Sequence, residues 1–296
     1  MSIQSSLLCP IDFSVASLGA LHYALAICRR FHASLTVLSV DDPVMVQAAD
    51  ARMWTGWSRG KRERELRDLV ANAEDGFTPV DVTYEIRTGK PALMIRDVAR
   101  SMTCRLIVMG THGRSGVLKL LFGATTERVL RETAVPVLLA PSDPGALPFD
   151  DLARKVAPML VPVDFSAATA QQVKAASRIA GELHARVMIG HVMEPIDLPV
   201  PEQVDAAEVM SERHRRACSG LQAIAAGDAI STPEILISSG QPAEEIARWI
   251  REHHVGLLVM ALHDAPEAGP RMGSVTYRAI CLGGVLTLAL PPARSS

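Results

Sequence analysis

Two kinds of group stand in this chain where anion and sugar chemistry would use them: a set of glycines after one apolar run, and a carboxylate after another. In Ile107-Val-Met-Gly-Thr-His-Gly-Arg-Ser-Gly-Val-Leu-Lys-Leu-Leu-Phe-Gly-Ala-Thr-Thr126 the run closes on Met109 and Gly110, the loop passes through Gly113, and a helical pattern opens at Gly123, Ala124 and Thr125. Glycines let backbone N–H groups close on an anion without an intervening Cβ, and the first N–H groups of a helix have no helical acceptors. Loop and helix start together make an anion cradle. His112 and Arg114 lie inside that loop. His112 reads equally as a phosphate contact or as an exposed loop histidine, and Arg114, with Lys90 and Lys119, is the positive charge at hand. The carboxylate is Asp12, in Cys9-Pro10-Ile-Asp12-Phe-Ser14, directly past the run Ser6 to Ile11. It can accept from ribose hydroxyls or base N–H groups, or merely cap the turn that Asp-Phe-Ser favours.

Other site chemistries find less support. Gly89-Lys90 is followed by Pro91, so no Gly-x4-Gly-Lys-Ser/Thr is present, no Gly-x-Gly-x-x-Gly occurs, and Gly113-Arg-Ser-Gly116 is one residue short of a nucleophile elbow. His253 and His254 are adjacent and point about 100° apart on a helix, so they do not share a metal as an i, i+4 pair would. Arg59, Lys61, Arg62, Arg64 and Arg67 are interleaved with Glu63, Glu65 and Asp68, which reads as a solvated helix face laced with ion pairs rather than a nucleic-acid surface. Trp54 and Trp57 are expected at a helix end or an interface rather than stacked on a base.

The 296 residues carry a formal net charge of −2, so there is no global attraction to nucleic acid or an anionic membrane. Hydrophobic residues make up 48 % and aromatics 4 %, which predicts an aliphatic core. Five scattered cysteines, odd in number and without a Cys-x-x-Cys pair, read as reduced thiols and predict a cytoplasmic location. The polar start lacks a signal-like region, and no run approaches the ~20 apolar residues of a spanning helix.

The elements that position the site are written twice. Cys9-Pro-Ile-Asp-Phe-Ser14 returns as Val161-Pro-Val-Asp-Phe-Ser166, Phe31-His-Ala33 as Leu183-His-Ala185, Gly89-Lys-Pro-Ala92 as Gly240-Gln-Pro-Ala243, and Arg105-Leu-Ile-Val-Met109 as Gly256-Leu-Leu-Val-Met260. An offset of about 150 residues is a duplicated domain rather than a solenoid repeat. The expected division is a first domain over 1–141, a linker over 142–155 rich in turn formers, and a second domain over 156–296. In the first repeat, strands are predicted at 6–11, 34–40, 80–86, 106–109 and 135–140. Helices are predicted at 16–31, 53–74, from Pro91 with Leu93, Met94, Val98 and Met102 inward, and at 125–132. Alternating strand and helix gives a parallel, doubly wound sheet. Its crevice lies beyond the carboxyl ends of the first and fourth strands, where Asp12 and the glycine loop would face each other.

The spacing of Gly110, Gly113 and Gly123 resembles the Gly-x2-Gly-x9-Gly-Ser/Thr signature of the universal stress protein family, with Ala124 in the hydroxyl position and Thr125 and Thr126 following. The resemblance covers nearly the whole chain and implies a tandem member. It implies two α/β domains, each a five-stranded parallel doubly wound sheet (Rossmann-like, adenine-nucleotide alpha hydrolase-like) with flanking helices. The implied ligand is an adenine nucleotide, ATP alone or with Mg, and the implied role is regulatory, in a stress response. The implied binding residues are Asp12, Val40 through its backbone, Met109, Gly110, Gly113, Gly123, Ala124 and Thr125, with Pro10, His112 and Arg114 beside them. In the second repeat Asp164, Val192 and Gly273-Ser-Val275 remain, but Ala261 and Asp264 replace the early glycines, which implies a site degenerate for a triphosphate. Family members commonly dimerise through the last strand, which implies an intramolecular pseudo-dimer of the repeats or a homodimer of tandem chains. Two other classes stay open: an interaction module without nucleotide, and a slow ATP-hydrolysing enzyme, for which no convincing general base stands near the loop.

Overall fold

A computed structural model describes residues 6–41, 43, 59–111, 123–141, 157–195, 206–227, 233–265, 269–271 and 274–292, with the backbone alone at 206, 263–265, 269–271 and 274. The chain divides into two compact units, Met1–Phe149 with Ala265–Arg271, and Asp150–Asp264 with Met272–Ser296.

In the first unit, β1 (Ser6–Ile11) is an almost fully buried run, as a central parallel strand covered on both faces must be. Helix α1 (Val15–Phe31) starts at the N-cap Ser14, whose Oγ accepts from Ser17 N–H at 3.2 Å, and stops at His32 in the left-handed region, whose N–H returns to Cys28 O. The chain continues through β2 (Ser34–Asp41), α2 (Arg59–Glu74), β3 (Val82–Thr88), α3 (Pro91–Ser101), β4 (Leu106–Gly110), α4 (Ala124–Glu132) and β5 (Val137–Ala140). All pairings are parallel and the strand order is β3-β2-β1-β4-β5, which reverses direction between β1 and β4.

The second unit repeats the course with β6 (Met159–Pro162), α5 (Ala168–Leu183), β7 (Val187–Met193), α6 (Ala206–Gly227), β8 (Glu234–Ser239), α7 (Pro242–Glu252) and β9 (Leu257–Ala261). Along the chain come next two short strands, β10 (His263–Ala265) and β11 (Gly269–Arg271), of which Ala265–Arg271 groups with the first unit; the second unit resumes with α8 (Ser274–Gly283) and β12 (Leu286–Leu290). Its parallel order is β8-β7-β6-β9-β12. His184 ends α5 in the left-handed region as His32 ends α1, so the recurring histidine is a helix stop.

Some expectations shift. The third strand runs Val82–Thr88 rather than 80–86, because Asp81 O already accepts from Leu35 N–H at 2.9 Å and Gly89 N–H donates to Asp41 O at 3.0 Å. A slip of two residues keeps every side chain on its face. Helix α3 turns Ala92, Ile95, Val98 and Ala99 inward, whereas Leu93 and Met94 are half-buried and Met102 lies past its end; only Val98 of the expected face is correct. Residues 53–58, including Trp54 and Trp57, lie outside the described residues.

Candidate functional site

Strands β1 and β4 part at the switch point, and a cavity of about 320 Å³ opens beyond their carboxyl ends. Its wall includes Pro10 and Asp12 from the end of β1, Val40 from β2, Met109 and Gly110 from β4, and Gly123, Ala124 and Thr125 at the start of α4. His112, Gly113 and Arg114 lie outside the described residues. Ser17, Leu38, Pro91, Ile95 and Thr126 also line the cavity and were not anticipated. Leu38 could have been, since it is two residues from Val40 on a strand and so shares its face.

Each group has a structural reason to be there. Asp12 is exposed, and its Oδ1 accepts from Ser14 N–H at 3.0 Å across a turn in which Phe13 takes φ 63°. The capping role is therefore real, and it leaves Oδ2 available to the cavity. Gly110 answers to packing as well as to any ligand: a Cβ there would lie 2.7 Å from backbone atoms of Ala16 at the start of α1. Thr126 Oγ1 donates to Gly110 O at 3.0 Å, tying α4 to β4. Gly123 N–H donates to Thr111 O at 3.1 Å, so this amide is taken. Glu127 N–H then makes an α-helical bond to Gly123 O, and Ala124, Thr125 and Thr126 supply the first-turn amides of α4.

Just past the ends of β1 and β2, Arg62 of α2 lies 3.4 Å from buried Asp41 and 4.9 Å above the Phe13 ring. Asp41 is 7 % exposed, and its Oδ2 has no hydrogen-bond partner among the described residues.

The second unit has its own cavity, about 400 Å³, at the matching place. Pro162, Asp164, Val192, Met260 and Ala261 line it as Pro10, Asp12, Val40, Met109 and Gly110 line the first. Asp164 Oδ1 accepts from Ser166 N–H at 2.9 Å, with Phe165 at φ 59°. Gln172, His191, Glu194, Arg213 and Thr276 add polar groups. The side chain of Asp264 lies outside the described residues. Among the described residues no group of three or more His, Cys, Asp or Glu is placed to hold a metal, and no helix is long and apolar enough to cross a membrane.

Two doubly wound units of parallel strands, each with a ligand-sized cavity at its switch point, define a tandem α/β protein. The sequence profile described as "Universal stress protein family" matches residues 5–141 and 156–280, and the chain belongs to that family. A universal stress protein of Methanocaldococcus jannaschii is 28 % identical over 142 residues, 47 % of this chain and 82 % of its own. One from Mycobacterium tuberculosis is 25 % identical over 130 residues, 42 % of this chain and 44 % of its own, so the match spans less than half of that relative. The crystal structure of a universal stress protein from Archaeoglobus fulgidus has a TM-score of 0.64 at 20 % identity and covers 97 % of this chain and 98 % of that one, a likeness of fold.

Proposed function

We propose that the first repeat binds an adenine nucleotide, ATP, and that the protein acts in the cytoplasm as a regulator whose surface or assembly responds to occupancy. The observation that supports this is the single cavity onto which Asp12, Val40, Met109, Gly110 and the start of α4 all open. The groups suit the ligand. Leu38, Val40, Ile95 and Met109 offer an apolar slot for a purine, and the free oxygen of Asp12 can accept from ribose hydroxyls. The first-turn amides of α4 and its positive dipole end suit a phosphate. Mg, when bound, would neutralise charge between phosphate oxygens. The two repeats are proposed to pair as an intramolecular pseudo-dimer; small-angle scattering with the profile of two separated bodies would count against it.

The second repeat lacks the two early glycines in sequence, so one triphosphate per chain is expected. Calorimetric titration with ATP tests this. Stoichiometry near one is expected, weakened by Asp12→Asn, which keeps an acceptor for Ser14 N–H, and unaffected by Asp164→Asn. Two equal sites, or dependence on Asp164 alone, would overturn the assignment. Single-turnover assays on the same complex separate binding from hydrolysis.

A further inference from the structure

The two cavities share a scaffold and differ in the polar atoms on their walls. Aligning Phe31 with Leu183 places Gln172 where the first repeat has Ala20, and His191 where it has Ser39. Both lie on the second cavity. Gln172 is 4 % exposed, and its Nε2 donates to Pro162 O and to Val259 O, each at 2.7 Å. Two carbonyl acceptors fix the amide orientation and use both of its hydrogens, which leaves Oε1 as an acceptor. His191 Nδ1 lies 2.9 Å from Val163 O, again a carbonyl. Nδ1 must therefore carry the proton, and in the neutral ring Nε2 is left as an acceptor. The His191 ring is held in place by Phe165, whose centroid is 4.5 Å away.

Charge points the same way. Among the described residues the lining holds Asp164 and Glu194 with the guanidinium of Arg213, which is anchored to Glu194 O at 2.9 Å. Arg213 stands four residues before buried Ala217, as Arg62 stands four before buried Leu66, so the two arginines are equivalents. The second cavity thus presents Gln172 Oε1, His191 Nε2 and two carboxylates as acceptors. Phosphate is itself an acceptor and an anion, so these acceptors offer it nothing, and, Arg213 aside, among the described residues only the start of α8, at Val275 and Thr276, could face it with donors. A molecule rich in hydroxyl and amine donors suits the wall, and at about 400 Å³ the space is within the range of small-molecule sites.

We propose that the second repeat is a site for an unphosphorylated nucleoside, so that one chain carries a nucleotide site and a nucleoside site side by side in sequence. The choice of a nucleoside rests on the reading of the first cavity as a nucleotide site, whereas the preference for donors over phosphate rests on the second cavity's own lining. The test is equilibrium dialysis of the full chain with labelled adenosine, with and without saturating ATP. One equivalent of adenosine should stay bound under saturating ATP, beyond whatever the first cavity takes up when ATP is absent. Gln172→Ala and His191→Ser, which install the first repeat's residues, should each weaken it about five- to tenfold, and Asp12→Asn should leave it unchanged. Because Gln172→Ala also strips two carbonyls of their donor, its fold is checked by circular dichroism, and His191→Ser stands as the independent variant. Adenosine retained with this mutational pattern in a chain that fails to bind ATP would keep the inference and discard the nucleotide reading. Adenosine that ATP displaces one for one, with loss on Asp12→Asn, would do the reverse. No binding by the wild-type chain at millimolar adenosine would overturn the inference.

Discussion

Gly110→Ala separates two reasons for a signature glycine. An added Cβ would lie 2.7 Å from C, Cβ and O of Ala16. An ordinary carbon contact is about 3.5–4.0 Å, so something must yield by roughly 1 Å. The neighbour is backbone, and it is held: Ser14 Oγ accepts from Ser17 N–H at 3.2 Å, Ser14 O from Leu18 N–H at 3.0 Å and from Ser17 Oγ at 3.0 Å. Overpacking of this kind costs about 1–3 kcal/mol. At about 2 kcal/mol the melting transition should fall by roughly 4–8 °C for a domain of this size. The second repeat shows what accommodation looks like. It carries Ala261 at this place, and its α5 begins at Ala168 behind Ala167, one residue later than α1 and without a side-chain cap. Urea and thermal denaturation followed by circular dichroism, with ATP titration of the same samples, would read both effects. Unchanged stability with lost ATP binding would refute the packing argument, since the glycine would then serve the ligand alone.

In the second repeat Gly190 stands where the first has Leu38, and a Cβ there would meet Trp249, 3 % exposed, at 2.5 Å. Gly190→Leu and Trp249→Val should each destabilise by about 2–4 kcal/mol, and the double variant should recover a large part, a coupling measurable by a double-mutant cycle; strict additivity would refute the exchange. Burial pushes the Cys28 thiol up to about 12 and Cys104 up to about 11, and raises Cys9 further. Iodoacetamide at pH 8 should therefore label half-exposed Cys218 first and reach those three only on unfolding, as read by peptide mass mapping. The same thiols keep their protons when folded and lose them near pH 8.5 when unfolded, so stability should be full below that pH and decline as pH rises through about 9 to 12 in urea titrations. Gly123→Asp would place a carboxylate at the N-cap of α4, where it competes for the first-turn amides; stability should hold while ATP affinity drops at least tenfold, and unchanged affinity would remove α4 from the phosphate site.

Strands were legible where burial is total. The apolar runs at Ser6–Ile11 and in β4 and β9 could hardly be anything but central parallel strands, and the paired motifs fixed the duplication before any geometry. Strand β3 was legible only to within two residues, because its half-exposed pattern gives no sharp edge. The inward face of α3 was misread because Leu93 and Met94 outrank Ala92 and Ala99 in hydrophobicity, yet the close approach of the helix selects the small residues. The β10–β11 pair was invisible, since His-Asp-Ala and Gly-Pro-Arg carry no alternation. At the site, the spacing rules reached residues whose backbone defines the crevice. They missed Gln172, because a helical pattern does not reveal a polar side chain buried against strand carbonyls.

Asp12 recurs as Asp164, as a shared ligand would require, and the geometry gives the recurrence a second cause. In both repeats the carboxylate accepts from the N–H of the serine two residues on, at 3.0 and 2.9 Å. In both, the phenylalanine between them sits in the left-handed region, a conformation a bulky residue adopts only when its neighbours hold it there. Selection for the turn alone would therefore preserve the aspartate through duplication, whatever the cavity binds. Discrimination must be sought in groups whose duty to the turn is absent or already discharged: the second carboxylate oxygen of Asp12, Oε1 of Gln172, and the ring of His191. Asp12→Asn isolates the first of these, because the amide oxygen can still accept from Ser14 N–H. A loss of ATP binding in that variant, at unchanged melting temperature, would assign the charge to the ligand; an equal loss of stability would return the residue to the turn.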